Sequence, residues 1–221
     1  MIYALSDVHG TRFLPELRGA LAEIKETPCV LLLAGDLLDR GKVESLLPVL
    51  AELERVGSPL VATFGNEEYH EVRQRLRAEF SSIKWLEDEL YSLRCEGREI
   101  TILGTPGSLD RLTPWQRKNM PWLEGEFRER ERRLRSLLQR AGGEAIFMSH
   151  YVIARENLRG EDERIWPEMF SSSIEALVAE LRPKVAVHGH AHKGSPIAYL
   201  NGVPVYNVAL PLRKRVVKLD L

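Results

Sequence analysis

Six consecutive apolar residues, Cys29 to Ala34 (CVLLLA), constrain the fold of this chain more than any other feature. A strand with one wet face alternates apolar and polar side chains, so an unbroken short run reads as a strand buried on both faces, the pattern of a parallel sheet covered by helices. The flanking segments agree. Ile2 to Leu5 reads as a strand, and Phe13, Leu14, Leu17, Leu21 and Ile24 then recur at helical spacing. Leu46, Leu47, Leu50 and Leu53 mark a second helix, with Pro48 tolerable near its start. Leu60 to Phe64 reads as a third strand, followed by a charged helix from about Glu67 to Phe80. This β-α-β-α-β order implies parallel strands joined by right-handed crossovers.

Beyond residue 80 the pattern changes and then returns. Tyr91 to Arg94 and Glu99 to Leu103 flank Glu96-Gly97 as a hairpin would. Residues 105–122 are rich in Pro, Trp and Gly and read as a long loop with room for a short helix. Leu123, Phe127, Leu134 and Leu138 form one stripe in a segment otherwise made of Arg and Glu, which reads as a helix with a solvated face held by i,i+4 pairs. Ala145 to Met148 is expected to be a strand, Ser173 to Leu181 a helix and Lys184 to Val187 a strand. Ile197 to Leu200, Asn201-Gly202 and Val203 to Val208 spell a second hairpin, and Arg215 to Leu219 a last strand. No repeat or linker interrupts residues 1–221, so a single α/β domain is expected, with residues 105–141 as a loop and charged helix that could cap a site.

Composition narrows the function classes. Hydrophobic residues make up 44% and charged residues 29%, a balance suited to a globular fold. A net charge of −1 offers no global attraction to nucleic acid or to an acidic membrane, so function must come from a local site. No apolar run approaches the roughly 20 residues that span a bilayer. The N-terminus lacks a secretion signal, and the cytoplasm is the expected compartment. Cys29 and Cys95 fall in expected strands and read as small core residues, with no disulfide framework expected.

The residues just beyond each strand carry the chemistry. After Ile2–Leu5 comes Asp7-Val8-His9; after Cys29–Ala34 comes Gly35-Asp36-Leu37-Leu38-Asp39-Arg40; after Leu60–Phe64 comes Gly65-Asn66-Glu67-Glu68. After Ala145–Met148 comes His150, and after Lys184–Val187 come Gly189, His190 and His192. The carboxyl ends of parallel strands line one edge of an open α/β sheet, where ligands bind, so these distant residues should converge. His9, His150, His190 and His192, four of the six histidines, lie at such ends. Mixed imidazole and carboxylate donors suit borderline divalent ions such as Mn, Fe, Zn, Co or Ni. In Asp7-x-His9 and His190-x-His192 alternate residues share a face, and the glycines before Asp36, Asn66 and His190 permit tight turns and close backbone approach. Taken singly, each block is what an ordinary turn or cap contains; together and in order they are not.

The series DVH, GDLLDR, GNEE, SH and GHAH resembles the calcineurin-like metallophosphoesterase superfamily, whose pattern runs D-x-H, G-D-x-x-D, G-N-H-[D/E], H and G-H-x-H, and it spans residues 7 to 192. The resemblance implies a four-layer αββα sandwich and a dinuclear metal-dependent phosphoesterase acting on a phosphate monoester or diester. It implies that Asp7, His9 and His192 hold one divalent ion, that Asn66, His150 and His190 hold a second, and that Asp36 bridges them, with Mn the first choice of metal. Hydroxide generated from water on such a pair attacks phosphorus in line, so no protein nucleophile is needed. Arg40 stands where similar G-D-x-x-D-R segments grip phosphate, and its guanidinium fork matches two phosphate oxygens; the plainer reading is a salt bridge to a neighbour.

Two departures bear on activity. The His of G-N-H is replaced by Glu67, so help for the leaving group must come from elsewhere. If Glu67 lies beside Asp39, two adjacent carboxylates cannot both ionise easily, and Glu67 could serve as the acid. Alternatively the substrate brings a good leaving group, with His70 contributing, or the chain is a catalytically weak scaffold that keeps its metal site. A nuclease would need a basic groove, which the composition does not supply. Late in the chain, Asn207-Val208-Ala209-Leu210 stands where many relatives carry Asn-Pro-Gly-Ser, which puts that loop in doubt as a substrate-facing element. Trp115, Trp122 and Trp166 could wall a pocket over the metals or serve as packing anchors. The expected partner is a small phosphorylated substrate, with no nucleic acid or membrane partner; the sequence is silent on oligomeric state.

Overall fold

A computed structural model describes residues 1–220 of the 221. Its first half alternates β1 (Ile2–Leu5), α1 (Leu14–Ala22), β2 (Val30–Leu33), α2 (Leu46–Glu54), β3 (Leu60–Thr63), α3 (Arg73–Glu79) and β4 (Ile83–Leu86). A hairpin, β5 (Glu89–Cys95) and β6 (Arg98–Thr105), leads to α4 (Pro114–Asn119) and α5 (Leu123–Ala141). There follow β7 (Ile146–Ser149), α6 (Ser172–Leu181), β8 (Val185–His188), β9 (Ile197–Leu200), β10 (Val203–Asn207), α7 (Leu210–Arg213) and β11 (Val217–Leu219).

The strands form two sheets, ordered β11-β1-β2-β3-β4 and β5-β6-β7-β8-β10-β9. Strands β1 to β4 run parallel, as do β6 to β8 with β10, and antiparallel β11, β5 and β9 close the edges. Alternate side chains of β2 explain its unbroken apolar run. Leu31 and Leu33 pack under α1 and α2, whereas Val30 and Leu32 face Ile146, Met148, Val185 and Val187 of the other sheet. Leu103, Phe147 and Ala186 then meet Leu134, Leu138 and Leu177 from α5 and α6. Helices, sheet, sheet and helices make the four expected layers, and β11, the carboxyl-terminal part of the expected Arg215–Leu219 strand, pairs with β1.

Four expectations need correction. The helix expected from Glu67 begins only at Arg73, after a 3-10 turn over His70–Val72, because Glu67 and Glu68 are drawn into the loop of Asp36. Strand β4 escaped the sequence reading: it is short, lies at a sheet edge, and carries an exposed Lys84 of the kind that guards edges. Helix α5 is not solvated on all of its charged side. Arg130 follows Phe127 and precedes Leu134 on the apolar stripe and is buried, donating to Asp88, Glu126 and the Gly107 carbonyl. Lastly, Cys29 and Cys95 are joined in a disulfide, their Cα atoms 5.6 Å apart. Stacking the sheets brings together two positions 66 residues apart, which spacing along the chain could not show.

Candidate metal centre

The donors converge because each strand of the parallel series ends at the same edge and turns sharply there. Asp7, His9, Asp36 and His190 all adopt the left-handed backbone conformation, with φ of 59°, 51°, 54° and 68°. Non-glycine residues rarely accept this strain, and it concentrates where surrounding structure holds a functional geometry. Space is equally tight. A Cβ at Gly65 would collide with the Asp36 carboxylate, and one at Gly189 with Asp7 and Ser6. Those two glycines are required for close approach rather than for their backbone angles.

Two groups of three side chains result. Asp7, His9 and His192 form the first, with His192 Nε2 3.0 Å from Asp7 Oδ1 and 3.5 Å from His9 Nε2. Asp36, His150 and His190 form the second, with His150 Nε2 3.5 Å from Asp36 Oδ1. The Asn66 Oδ1 joins this second group, 3.0 Å from His150 Nε2. The other Asp36 oxygen lies 3.9 Å from His9 Nε2, so one carboxylate faces both groups. All seven ligands expected from the sequence therefore meet at one edge.

The protein fixes these donors from behind. His150 Nδ1 donates to the Ala34 carbonyl at 2.9 Å, which leaves Nε2 with its lone pair toward the site. The Asp7 carboxylate accepts from Ser6 Oγ and from the His190 amide. Asn207, buried beneath the last loop, donates to the Ala191 carbonyl between His190 and His192 and accepts from the Ala209 amide. It braces the turn. His188 is buried, with Nδ1 donating to the Gly189 carbonyl.

Glu68 was not foreseen. Its buried carboxylate accepts from four backbone amides: Asp36, Leu37, Leu38 and Gly65. The loops that carry Asp36 and Asn66 are thus clamped together by one side chain. The acid at the fourth place of the resembling G-N-H-[D/E] block was the available signal.

Electrostatics match a donor set built for cations. Burial, then the charge of His150, depresses His190 to about 3, and burial depresses His9 to about 4, so both imidazoles keep free lone pairs at neutral pH. Burial opposes ionisation of Asp7, yet the His192 hydrogen bond and the charges of His150 and His192 hold its carboxyl well below the ordinary range. Asp36 is pushed up, by burial first and then by Glu68 and Asp7. Against its burial, His192 is pushed the other way, up, by its hydrogen bond to Asp7 and the charge of that carboxylate. Carboxylate oxygens and ring nitrogens gathered within 4.8 Å of one another fit divalent metal ions of the borderline class.

The three residues assigned to catalysis stand at the rim. Glu67 offers its carboxylate within 4.8 Å of donor atoms of His9 and Asp36, accepts from the Arg40 amide at 2.6 Å, and has its pKa raised by burial and by Glu68 and Asp39. Asp39 is instead lowered by its hydrogen bond from Lys42 at 3.1 Å. Arg40 is exposed, and its guanidinium makes no salt bridge or hydrogen bond among the described residues, contrary to the plainer reading of it. His70 and Trp115 line a cavity beside Asn66 and His190, and Trp122 packs edge-on against His70. Trp166 is a packing anchor, donating to the Glu161 carbonyl.

Comparison with known proteins agrees with this geometry. A family model described as calcineurin-like phosphoesterase matches residues 1–194. Among solved structures, a phosphopantetheinyl hydrolase from Mycobacterium tuberculosis superposes with a TM-score of 0.73 at 15% identity, covering 99% of this chain and 96% of its own. The protein TT1561 of Thermus thermophilus gives 0.63 at 16% identity, covering 98% and 96%. GAP50, described as the anchor in the inner membrane complex of Plasmodium, gives 0.63 at 12% identity, covering 95% and 71%. No curated protein matches the sequence. No helix among the described residues is long and apolar enough to cross a membrane.

Proposed function

The chain belongs to the calcineurin-like phosphoesterase family and is a metal-dependent phosphoric ester hydrolase, and from that premise we propose that it uses two divalent ions, Mn foremost, to hydrolyse a small phosphate monoester or diester. The observation that carries this reading is the Asp36 carboxylate lying between two donor groups, one of Asp7, His9 and His192 and one of Asn66, His150 and His190. When bound, a pair of cations polarises the phosphoryl oxygens and makes water acidic enough to supply a nucleophile near neutral pH.

The remaining work falls to the chain's own residues. Asp36, held by the Glu68-clamped loop, keeps the two donor groups in register. Arg40, unpaired at the rim, takes the phosphate oxygens through its guanidinium fork. Glu67, whose burial favours the protonated form in the metal-free protein, is the residue we assign to protonating the leaving group in place of the absent imidazole. Asp39 contributes through its negative charge, which helps to hold that proton on Glu67.

A nuclease is the weaker reading, because five glutamates line the neighbouring cavity and its two arginines are tied to the protein. Purified protein with Mn²⁺ should hydrolyse a 4-nitrophenyl phosphate monoester or diester in preference to single-stranded DNA. Failure on all three substrates with several metals would leave the fold as a binding scaffold.

A further inference from the structure

A cavity of about 390 Å³ adjoins the centre on the side of Asn66 and His190. Its volume is within the range of small-molecule sites, about 300–1,000 Å³. The outer wall comes from the long segment after β6 and the start of α5, with Trp115, Met120, Leu123 and Phe127 facing in. Aromatic contacts run inward from this wall. The Tyr151 ring stands edge-on to Phe127, with centroids 6.4 Å apart, and edge-on to His190 at 5.0 Å. Tyr151 is buried, and its hydroxyl accepts from Gln116 at 3.2 Å.

The charged groups on the same wall are engaged elsewhere. Every terminal nitrogen of Arg130 is spent on Asp88, Glu126 and the Gly107 carbonyl. Arg73 is held by Glu87 and the Glu68 carbonyl, and Glu168 by Arg111. Glu71 adds a further acidic side chain to the lining. An anionic group entering this space would meet carboxylates and no uncommitted guanidinium, whereas an apolar group would exchange water for aromatic and aliphatic walls.

We propose that this cavity receives the organic half of the substrate, and that this half is uncharged and predominantly apolar, with the phosphate itself the single anionic group. The proposal rests on the phosphoesterase reading above and specifies which esters the site selects. Residues Trp115, Met120, Phe127 and Tyr151 are then specificity-determining, and they act on affinity for the organic group.

Alkylphosphonates, which cannot be hydrolysed, separate the two ideas. Calorimetric titration of Mn²⁺-loaded protein with methylphosphonate, hexylphosphonate and 5-carboxypentylphosphonate should rank hexyl tightest. With about 0.8 kcal/mol available per buried methylene and part of it lost to ordering the chain, hexyl should bind at least about 30-fold more tightly than methyl. A terminal carboxylate should remove most of that gain. Met120→Trp, which fills the space, should abolish the advantage of hexylphosphonate over methylphosphonate. Trp115→Ala, at an exposed position, should reduce the advantage several-fold. Equal binding of methyl and hexyl, or tighter binding of the carboxylate, would overturn the cavity's assignment while leaving the phosphoesterase reading intact. No binding of methylphosphonate, with no turnover of nitrophenyl esters, would overturn both.

Discussion

Replacing Glu68 by Gln removes one acceptor oxygen and a negative charge from beneath the site. Oε1 accepts from Leu37 at 2.7 Å and Leu38 at 3.0 Å, and Oε2 from Asp36 at 2.8 Å and Gly65 at 2.6 Å. A glutamine keeps one oxygen and turns its NH2 toward the other pair of amides, so two bonds to a charged group become donor–donor contacts. At roughly 1.5–2 kcal/mol for each such bond, the loss is about 3–4 kcal/mol. For a domain of this length that lowers the midpoint of thermal unfolding by about 10 °C. The loop released is the one that carries Asp36, so affinity for Mn²⁺ should also fall about 10- to 100-fold, as for other groups that orient ligands from behind. Thermal unfolding followed by circular dichroism without added metal, and calorimetric Mn²⁺ titration of the same variant, measure the two effects separately. A midpoint within about 2 °C of the parent protein together with unchanged Mn²⁺ affinity would show that the four amides do not depend on this carboxylate.

Three other substitutions have definite expected outcomes. Glu67→Gln should lower turnover and remove the alkaline limb of the pH–rate profile, since activity that needs protonated Glu67 is full below its raised pKa and lost as pH climbs through it; an unchanged profile would assign the acid elsewhere. Arg40→Ala should raise KM for 4-nitrophenyl phosphate about 10-fold and leave the unfolding midpoint within about 2 °C, because the guanidinium supports nothing in the fold. Cys29→Ser should destabilise the oxidised protein by up to about 4 kcal/mol on loop-closure grounds, with parent and variant alike under reducing conditions; denaturant titration with and without dithiothreitol reads both.

The centre was legible because apolar periodicity and donor chemistry happen to abut. Each buried strand ends about where its apolar run ends, and the polar residues that follow within three positions, Asp7, Asp36, Asn66, His150 and His190, must lie at the sheet edge. The residues that escaped share a different physics. Glu68 and Arg130 are charges made tolerable in the interior by partners distant in sequence, and a pattern of hydrophobicity reads both as solvent-facing. The Cys29–Cys95 contact depends on how one sheet stacks upon another, and the cavity under α4 and α5 on how a loop without periodicity packs. Such features are set by tertiary pairing, to which local spacing is blind.

The count of metal ions bound per chain bears most directly on the central claim. Equilibrium dialysis against Mn²⁺ followed by elemental analysis should find two ions per chain in the parent protein, with Asp36→Ala, which removes the shared carboxylate, weakening both sites and abolishing hydrolysis of nitrophenyl phosphate. Binding of no divalent ion, or binding and turnover that Asp36→Ala leaves untouched, would contradict it.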